Sequence, residues 1–181
     1  MASTLAVRDD WARIHEIDRP LVLEQRRPPL AAADVTALLE RGAFTVRSEG
    51  ALAAIAGGLT ELPTALVDDI VTLAERFATV MQVDDVRVRF EGIAGNACTK
   101  MHADYADVRL ITTYAGPGTD YVEGDDECCP KRVPLGWIGL FKGALYGRGH
   151  APCLHRSPEI ADTGERRLVL VIDTPSRAPG T

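Results

Sequence analysis

The spacing of apolar residues changes once along this chain, and that change limits the fold more than any other feature. Leu62, Leu66, Ile70, Leu73, Phe77 and Val80 recur at three- and four-residue steps, which gives a helix one apolar face. After Asp84-Asp85, Val86, Val88 and Phe90 alternate with Arg87, Arg89 and Glu91, the two-residue period of a strand. The first pattern predicts a helix over Glu61–Gln82, with Thr60 as its N-cap and Pro63 in its first turn, where a missing N–H costs little. The second opens a run of strands, predicted at Val108–Tyr114, Asp120–Val122, Pro134–Lys142, Pro152–His155 and Arg167–Asp173. Turn chemistry at Gly95-Asn96, Gly116-Pro117-Gly118, Gly147–Gly149 and Thr163-Gly164 separates them.

Upstream of the helix the signals are weaker. Residues 1–30, punctuated by Pro20, Pro28 and Pro29, read as irregular. Asp34 can cap a short helix over Val35–Arg41 that Gly42 would end, and Ser48 or Glu49 can open another, stopped by Gly57-Gly58. Helices followed by strands indicate an α+β fold. The expected core is a double-stranded β-helix, a jelly roll of the cupin-like kind, over residues 85–176. Residues 1–84 would add an irregular segment and helices packed on it as part of the same domain. No helix-length segment separates the late strands, which disfavours a Rossmann arrangement.

Composition narrows the partners. The formal net charge is −6 and no basic run exceeds the pairs Arg26-Arg27 and Arg166-Arg167. Phosphate backbones need a basic face, so no nucleic-acid partner is expected. No stretch approaches the roughly 18 apolar residues that span a membrane, and the start carries charge by Arg8 and Asp9, so no membrane or secretory signal is expected. The expected location is cytoplasmic and the expected partner a small-molecule substrate; oligomeric state is open, a homodimer included. Four cysteines, Cys98, Cys128, Cys129 and Cys153, do not make a disulfide scaffold.

The chemistry concentrates in the β half. His102 and Asp104 stand two apart, so on a strand they share a face, and His155 follows on a later strand. Two histidines and one carboxylate form a facial triad that suits Fe(II), with open positions for other ligands, and the same donors accept zinc or other divalent ions. Arg166 and Arg167 open the apolar strand LVLVID, where a guanidinium can hold a carboxylate through two parallel hydrogen bonds. Alternation sends them to opposite faces, so one of the two points inward. Arg109 can orient a substrate or Asp104, or form an edge ion pair; Tyr114 can bind a co-substrate carboxylate or pack in the core. Cys98 and Cys153 stand near His102 and His155 in sequence, which admits a Cys/His zinc site or a supporting role. Cys128-Cys129 reads as an exposed pair in the acidic loop EGDDECCPK.

The order H-x-D, Arg109, Thr112, Tyr114, His155, then G-E-R before an apolar strand resembles the 2-oxoglutarate- and Fe(II)-dependent dioxygenases, the prolyl-hydroxylase-like branch most of all. That resemblance implies iron on His102, Asp104 and His155, with 2-oxoglutarate clamped by Arg167 or Arg166. A narrower resemblance, over about residues 86–174, is to a bacterial family of uncharacterised proteins with C-x3-H-x-D, RL-x2-TY-x-GPGT and HRSP. Here these read CTKMHAD, RLITTYAGPGT and HRSP, and the RL of that family favours Arg167 as the clamp. It implies the same fold and site and keeps zinc as the alternative metal. A non-haem iron oxygenase is the expected function; a zinc-handling protein, or a cupin-like thiol oxygenase or hydrolase that uses no 2-oxoglutarate, are the alternatives.

Overall fold

A computed structural model describes residues 10–124 and 129–175. Three helices, α1 (Ala32–Glu40), α2 (Leu52–Ile55) and α3 (Thr64–Met81), accompany nine strands. The strands are β1 (Leu21–Glu24), β2 (Phe44–Ala51), β3 (Asp85–Ile93), β4 (Val108–Ala115), β5 (Asp120–Tyr121), β6 (Lys131–Arg132), β7 (Ile138–Lys142), β8 (His155–Arg156) and β9 (Arg167–Asp173). They form a six-stranded sheet in the order β1-β7-β4-β9-β3-β2 and a three-stranded sheet in the order β6-β5-β8. Every pairing in both is antiparallel.

The large sheet has two differently used faces, set by alternation along its strands. Val86, Val88 and Phe90 of β3, Leu110 of β4 and Leu168, Leu170 and Ile172 of β9 join the main apolar core. Leu66, Ile70, Leu73, Ala74 and Phe77 of α3 belong to the same core, so the helical stripe lies against the strand stripe. Ile111, Phe141, Val169 and Val171 point the other way and form a smaller cluster with Tyr121 and Cys153 from the small sheet's side. Phe77 is fully buried. Phe77→Ala is expected to lower unfolding free energy by about 3–5 kcal/mol through lost transfer energy and the cavity left behind. A shifted urea midpoint at unchanged slope would measure it.

The fold corrects several expectations. The core is not confined to residues 85–176, because β1 and β2 of the large sheet come from the first 84 residues. Residues 1–30 are not wholly irregular: Asp10–His15 form a 3-10 turn that buries Trp11 and Ile14, and β1 pairs along the edge of β7. Ser48 and Glu49 lie within β2 rather than opening a helix; α2 starts only at Leu52. The Ser48 hydroxyl donates to the Ile55 carbonyl instead. The long helix begins at Thr64 with Pro63 at the cap position, not at Thr60. Helix α1 begins at Ala32, which places Asp34 in its first turn, where a carboxylate favours the positive end of the helix dipole.

Candidate metal centre

His102 and His155 meet across the small sheet's edge. His102 N–H donates to the His155 carbonyl at 3.1 Å, and His155 N–H returns the bond at 2.9 Å. This reciprocal pair extends the small sheet by one residue position and sets the two rings 5.0 Å apart. His-x-Asp is thus a single bridge followed by a loop, not the extended strand expected. The loop is held by its neighbours. Ala144 N–H donates to the Asp104 carbonyl and Gly143 N–H to the Asp107 carbonyl, both at 2.8 Å. A Cβ at Gly143 would sit 2.1 Å from the Ala106 carbonyl oxygen, so only glycine allows this approach.

Side-chain atoms of His102, Asp104 and His155 converge within 4.8 Å of one another. His155 Nε2 stands 3.0 Å from Asp104 Oδ2, and His102 Nε2 stands 3.6 Å from Asp104 Oδ1. Two ligands about 2.1 Å from one ion and at right angles stand about 3 Å apart, so this spacing suits a shared metal. The hydrogen bonding favours it further. His102 Nδ1 lies 2.8 Å from the Lys100 carbonyl and His155 Nδ1 lies 3.2 Å from the Cys153 carbonyl. A carbonyl only accepts, so each neutral ring carries its proton on Nδ1 and presents Nε2 as a lone pair. Asp104 Oδ2 is buried and has no well-aligned donor despite its proximity to His155. Lone pairs facing each other in this way repel unless a cation lies between them.

Arg109 fixes the carboxylate from the opposite side. Its guanidinium donates to Asp104 Oδ1 and forks onto Asp173 at 2.7 and 2.9 Å. Burial alone would raise the Asp104 pKa, but the Arg109 guanidinium beside it outweighs this and holds the group below its ordinary value. Asp104 is therefore ionised, as a ligand must be.

Arg167 and Arg166 separate as alternation requires. Arg166 is exposed and donates to the Leu39 carbonyl at 2.6 Å. Arg167 is 1% exposed and lines the same cavity as the three candidate ligands, a space of about 250 Å³. It donates to the Pro117 carbonyl at 2.7 Å, to Ser157 Oγ at 3.0 Å and to Thr119 Oγ1 at 3.4 Å. The GPGT turn and the HRSP segment thus come together on one guanidinium. Arg167 has no carboxylate within ion-pair distance among the described residues, and burial pulls its pKa down to about 10.

A family model matches residues 12–173 of the chain, which is most of its length. The chain belongs to the family described as "Protein of unknown function (DUF1826)". No curated protein matches it by sequence. Solved structures do match by fold. The rice dioxygenase for auxin oxidation is 13% identical with a TM-score of 0.59, over 94% of this chain and 81% of that one. A prolyl-4-hydroxylase of Pseudomonas putida is 11% identical with a TM-score of 0.55, over 93% and 98%. Dioxygenase for auxin oxidation 1 of Arabidopsis thaliana, solved with 2-oxoglutarate, is 8% identical with a TM-score of 0.52, over 93% and 88%. At such identities the likeness shows the fold alone. This DUF1826 member has the double-sheet jelly-roll architecture of those dioxygenases, with helices packed on the large sheet.

Two other expected roles in this DUF1826 chain do not fit the structure. Tyr114 lies at a bulge between Thr113 and Ala115 and faces the helices, away from the cavity. Its hydroxyl donates to Asp69, which Arg26 grips at 2.6 and 2.8 Å. Burial, reinforced by Asp69, raises its pKa, so it is a neutral core tyrosine. Tyr114→Phe is expected to cost about 1–3 kcal/mol of stability and to leave co-substrate affinity unchanged, which denaturation and calorimetry would separate. The Cys/His zinc set also fails to assemble. Cys153 is buried among apolar side chains, which push its thiol pKa up to about 12. Cys98 Sγ lies 3.6 Å from His102 Nδ1, the ring nitrogen turned away from Asp104. Cys129 is exposed, and Cys128 lies outside the described residues. No helix among the described residues is long and apolar enough to cross a membrane.

Ser157, Thr119 and Gly143 support the site without having been expected to. Ser157 belongs to HRSP and Thr119 to GPGT, so both lie in motifs visible in the sequence, but only the fold shows what they hold.

Proposed function

We propose that this chain is a non-haem Fe(II)- and 2-oxoglutarate-dependent oxygenase that oxidises a small molecule. The observation that carries the reading is one cavity holding both a convergent His102, Asp104 and His155 and the buried, carboxylate-free guanidinium of Arg167. The three ligands would hold iron, and Arg167, Ser157 and Thr119 would receive the far carboxylate of 2-oxoglutarate. Iron and 2-oxoglutarate, when bound, supply the oxidising chemistry with dioxygen. The protein's own part is positional. Arg109 keeps the Asp104 carboxylate ionised and oriented, and the two backbone carbonyls hold the imidazole tautomers. Ile111, Val169 and Val171 give the cavity an apolar wall that limits water.

A zinc-handling role without turnover that used cysteine ligation has less support, because the thiol beside His102 touches the ring nitrogen turned away from Asp104. A metalloenzyme that uses no 2-oxoglutarate gives no role to a buried arginine in the cavity of the candidate ligands. The test is succinate formation from 2-oxoglutarate by iron-loaded protein, measured with metal content after purification without added metal. Succinate release, even uncoupled from a substrate, is the expected result. Tight zinc with no 2-oxoglutarate binding and no succinate would overturn the reading.

A further inference from the structure

We propose that Arg47 and Arg89 bind an anionic group, a carboxylate or phosphate, on the small molecule that enters this site; the inference rests on the oxygenase reading. The cavity-side face of the large sheet becomes progressively more open away from the small sheet. Val169, Val171 and Ile111 of β9 and β4 are buried there, Arg87, Arg89 and Glu91 of β3 are half-buried, and Thr45, Arg47 and Glu49 of β2 are exposed. A second cavity of about 310 Å³ lies on this open part, bordered by Arg47, Glu49, Arg87, Arg89, Arg109 and Asp173. Arg89 and Arg109 also line the metal cavity, so the two spaces adjoin.

Four arginines on that border face two carboxylates, in a chain whose net charge is −6. Their engagements differ. Arg109 is fixed on Asp104 and Asp173. Arg87 leans toward Asp173 at 3.9 Å and donates to the Thr174 carbonyl. Arg89 meets Glu91 only at 3.5 Å, in a pair open to solvent, and Arg47 makes no ion pair with a described residue. The register places Arg47 directly opposite Arg89 on neighbouring strands. Like charges directly opposite on one sheet face repel, and among the described residues the loose Glu91 contact offsets Arg89 while Arg47 has no ion-pair partner. An anion bridging the two would relieve the repulsion, and planar guanidinium forks match carboxylate and phosphate oxygens. A local basic patch on an acidic protein also draws such a ligand to the mouth of the site.

The test is calorimetric titration of the full chain, loaded with one equivalent of manganese and saturated with 2-oxoglutarate, using inorganic phosphate and propionate as probes. Saturation keeps the probes from Arg167. The wild type is expected to bind at least one probe, and the double variant Arg47→Ala/Arg89→Ala to bind it at least tenfold more weakly. Neither side chain belongs to an apolar core, so the double variant should fold. Arg166→Ala, an exposed arginine away from both cavities, should leave the titration unchanged. No binding by the wild type, or equal binding by the double variant, overturns the inference. Manganese and 2-oxoglutarate binding are read separately in the same samples, so a failed oxygenase reading appears there and a failed anion site appears in the probe titration.

Discussion

His155→Ala is expected to abolish stoichiometric metal binding while the chain stays folded. His155 is 4% exposed and supplies the Nε2 that stands closest to Asp104. Removing it leaves two ligands, and two ligands do not define a closed face for a divalent ion. Loss of a supporting residue at a metal site typically weakens affinity by about 10–100-fold, so loss of a ligand should exceed that. Metal content after dialysis, with calorimetry for the residual affinity, measures the effect. The backbone bonds between His102 and His155 do not depend on the imidazole, so far-UV dichroism should be preserved. Full metal occupancy in the variant would place the ion elsewhere and remove the basis for the functional reading.

Arg167→Leu is expected to separate ligand binding from stability. Truncating one partner of a buried, hydrogen-bonded charge pair typically costs about 2–5 kcal/mol, so 2-oxoglutarate should bind roughly 30-fold more weakly or worse. Arg167→Lys should fall between, because it keeps a charge but loses the fork. Without ligand the expectation reverses. The wild type buries a cation with no carboxylate within ion-pair distance among the described residues, and desolvating such a charge costs more than leaving its three neutral acceptors without a donor. The ligand-free Arg167→Leu variant should therefore melt no lower than the wild type, while ligand-induced stabilisation is lost. A steep fall in the ligand-free Tm would show that Arg167 serves the fold first. Arg166→Ala should change neither quantity, since Arg166 is exposed and donates to the Leu39 carbonyl, away from the cavity.

The strongly periodic elements are legible in the sequence. Strand β9 spans Arg167–Asp173 as expected, and the helix expected at Glu61–Gln82 is found at Thr64–Met81. Helix α3 commits one face to the main core and so shows a spaced stripe, while β9 is buried on both faces and so shows a continuous apolar run. Strands β1 and β2 are not legible because they are the two edges of the large sheet. Each has one neighbour and half-exposed side chains, so its apolar signal is diluted. Ser48 and Glu49 then look like a helix start, although their backbones pair with Val88 and Arg87. Tyr114 misleads for another reason. It lies four residues from Leu110 and so faces the helices by simple alternation, which sets it opposite Arg109 and Ile111, while the bulge turns only Ala115 to the same side.

Residue type and spacing single out the candidate donors and set the two periods. Histidine is scarce in the β half, and its two-residue spacing to Asp104 together with the arginines that open an apolar strand lets His102, Asp104, His155 and an arginine at the start of β9 be named as candidates. Which arginine faces inward is decided by register, because β9 pairs β3 with Arg167 opposite Ile93, and one residue of slip would reverse every side chain. Convergence is decided by long-range pairing: the reciprocal bonds between His102 and His155 join residues that no local preference brings together. Arg109 on Asp104 and Asp173, and Arg47 opposite Arg89, likewise exist only once strands distant in sequence lie side by side. Local sequence sets which way a side chain points along its own strand, and only the assembled sheets set what it points at.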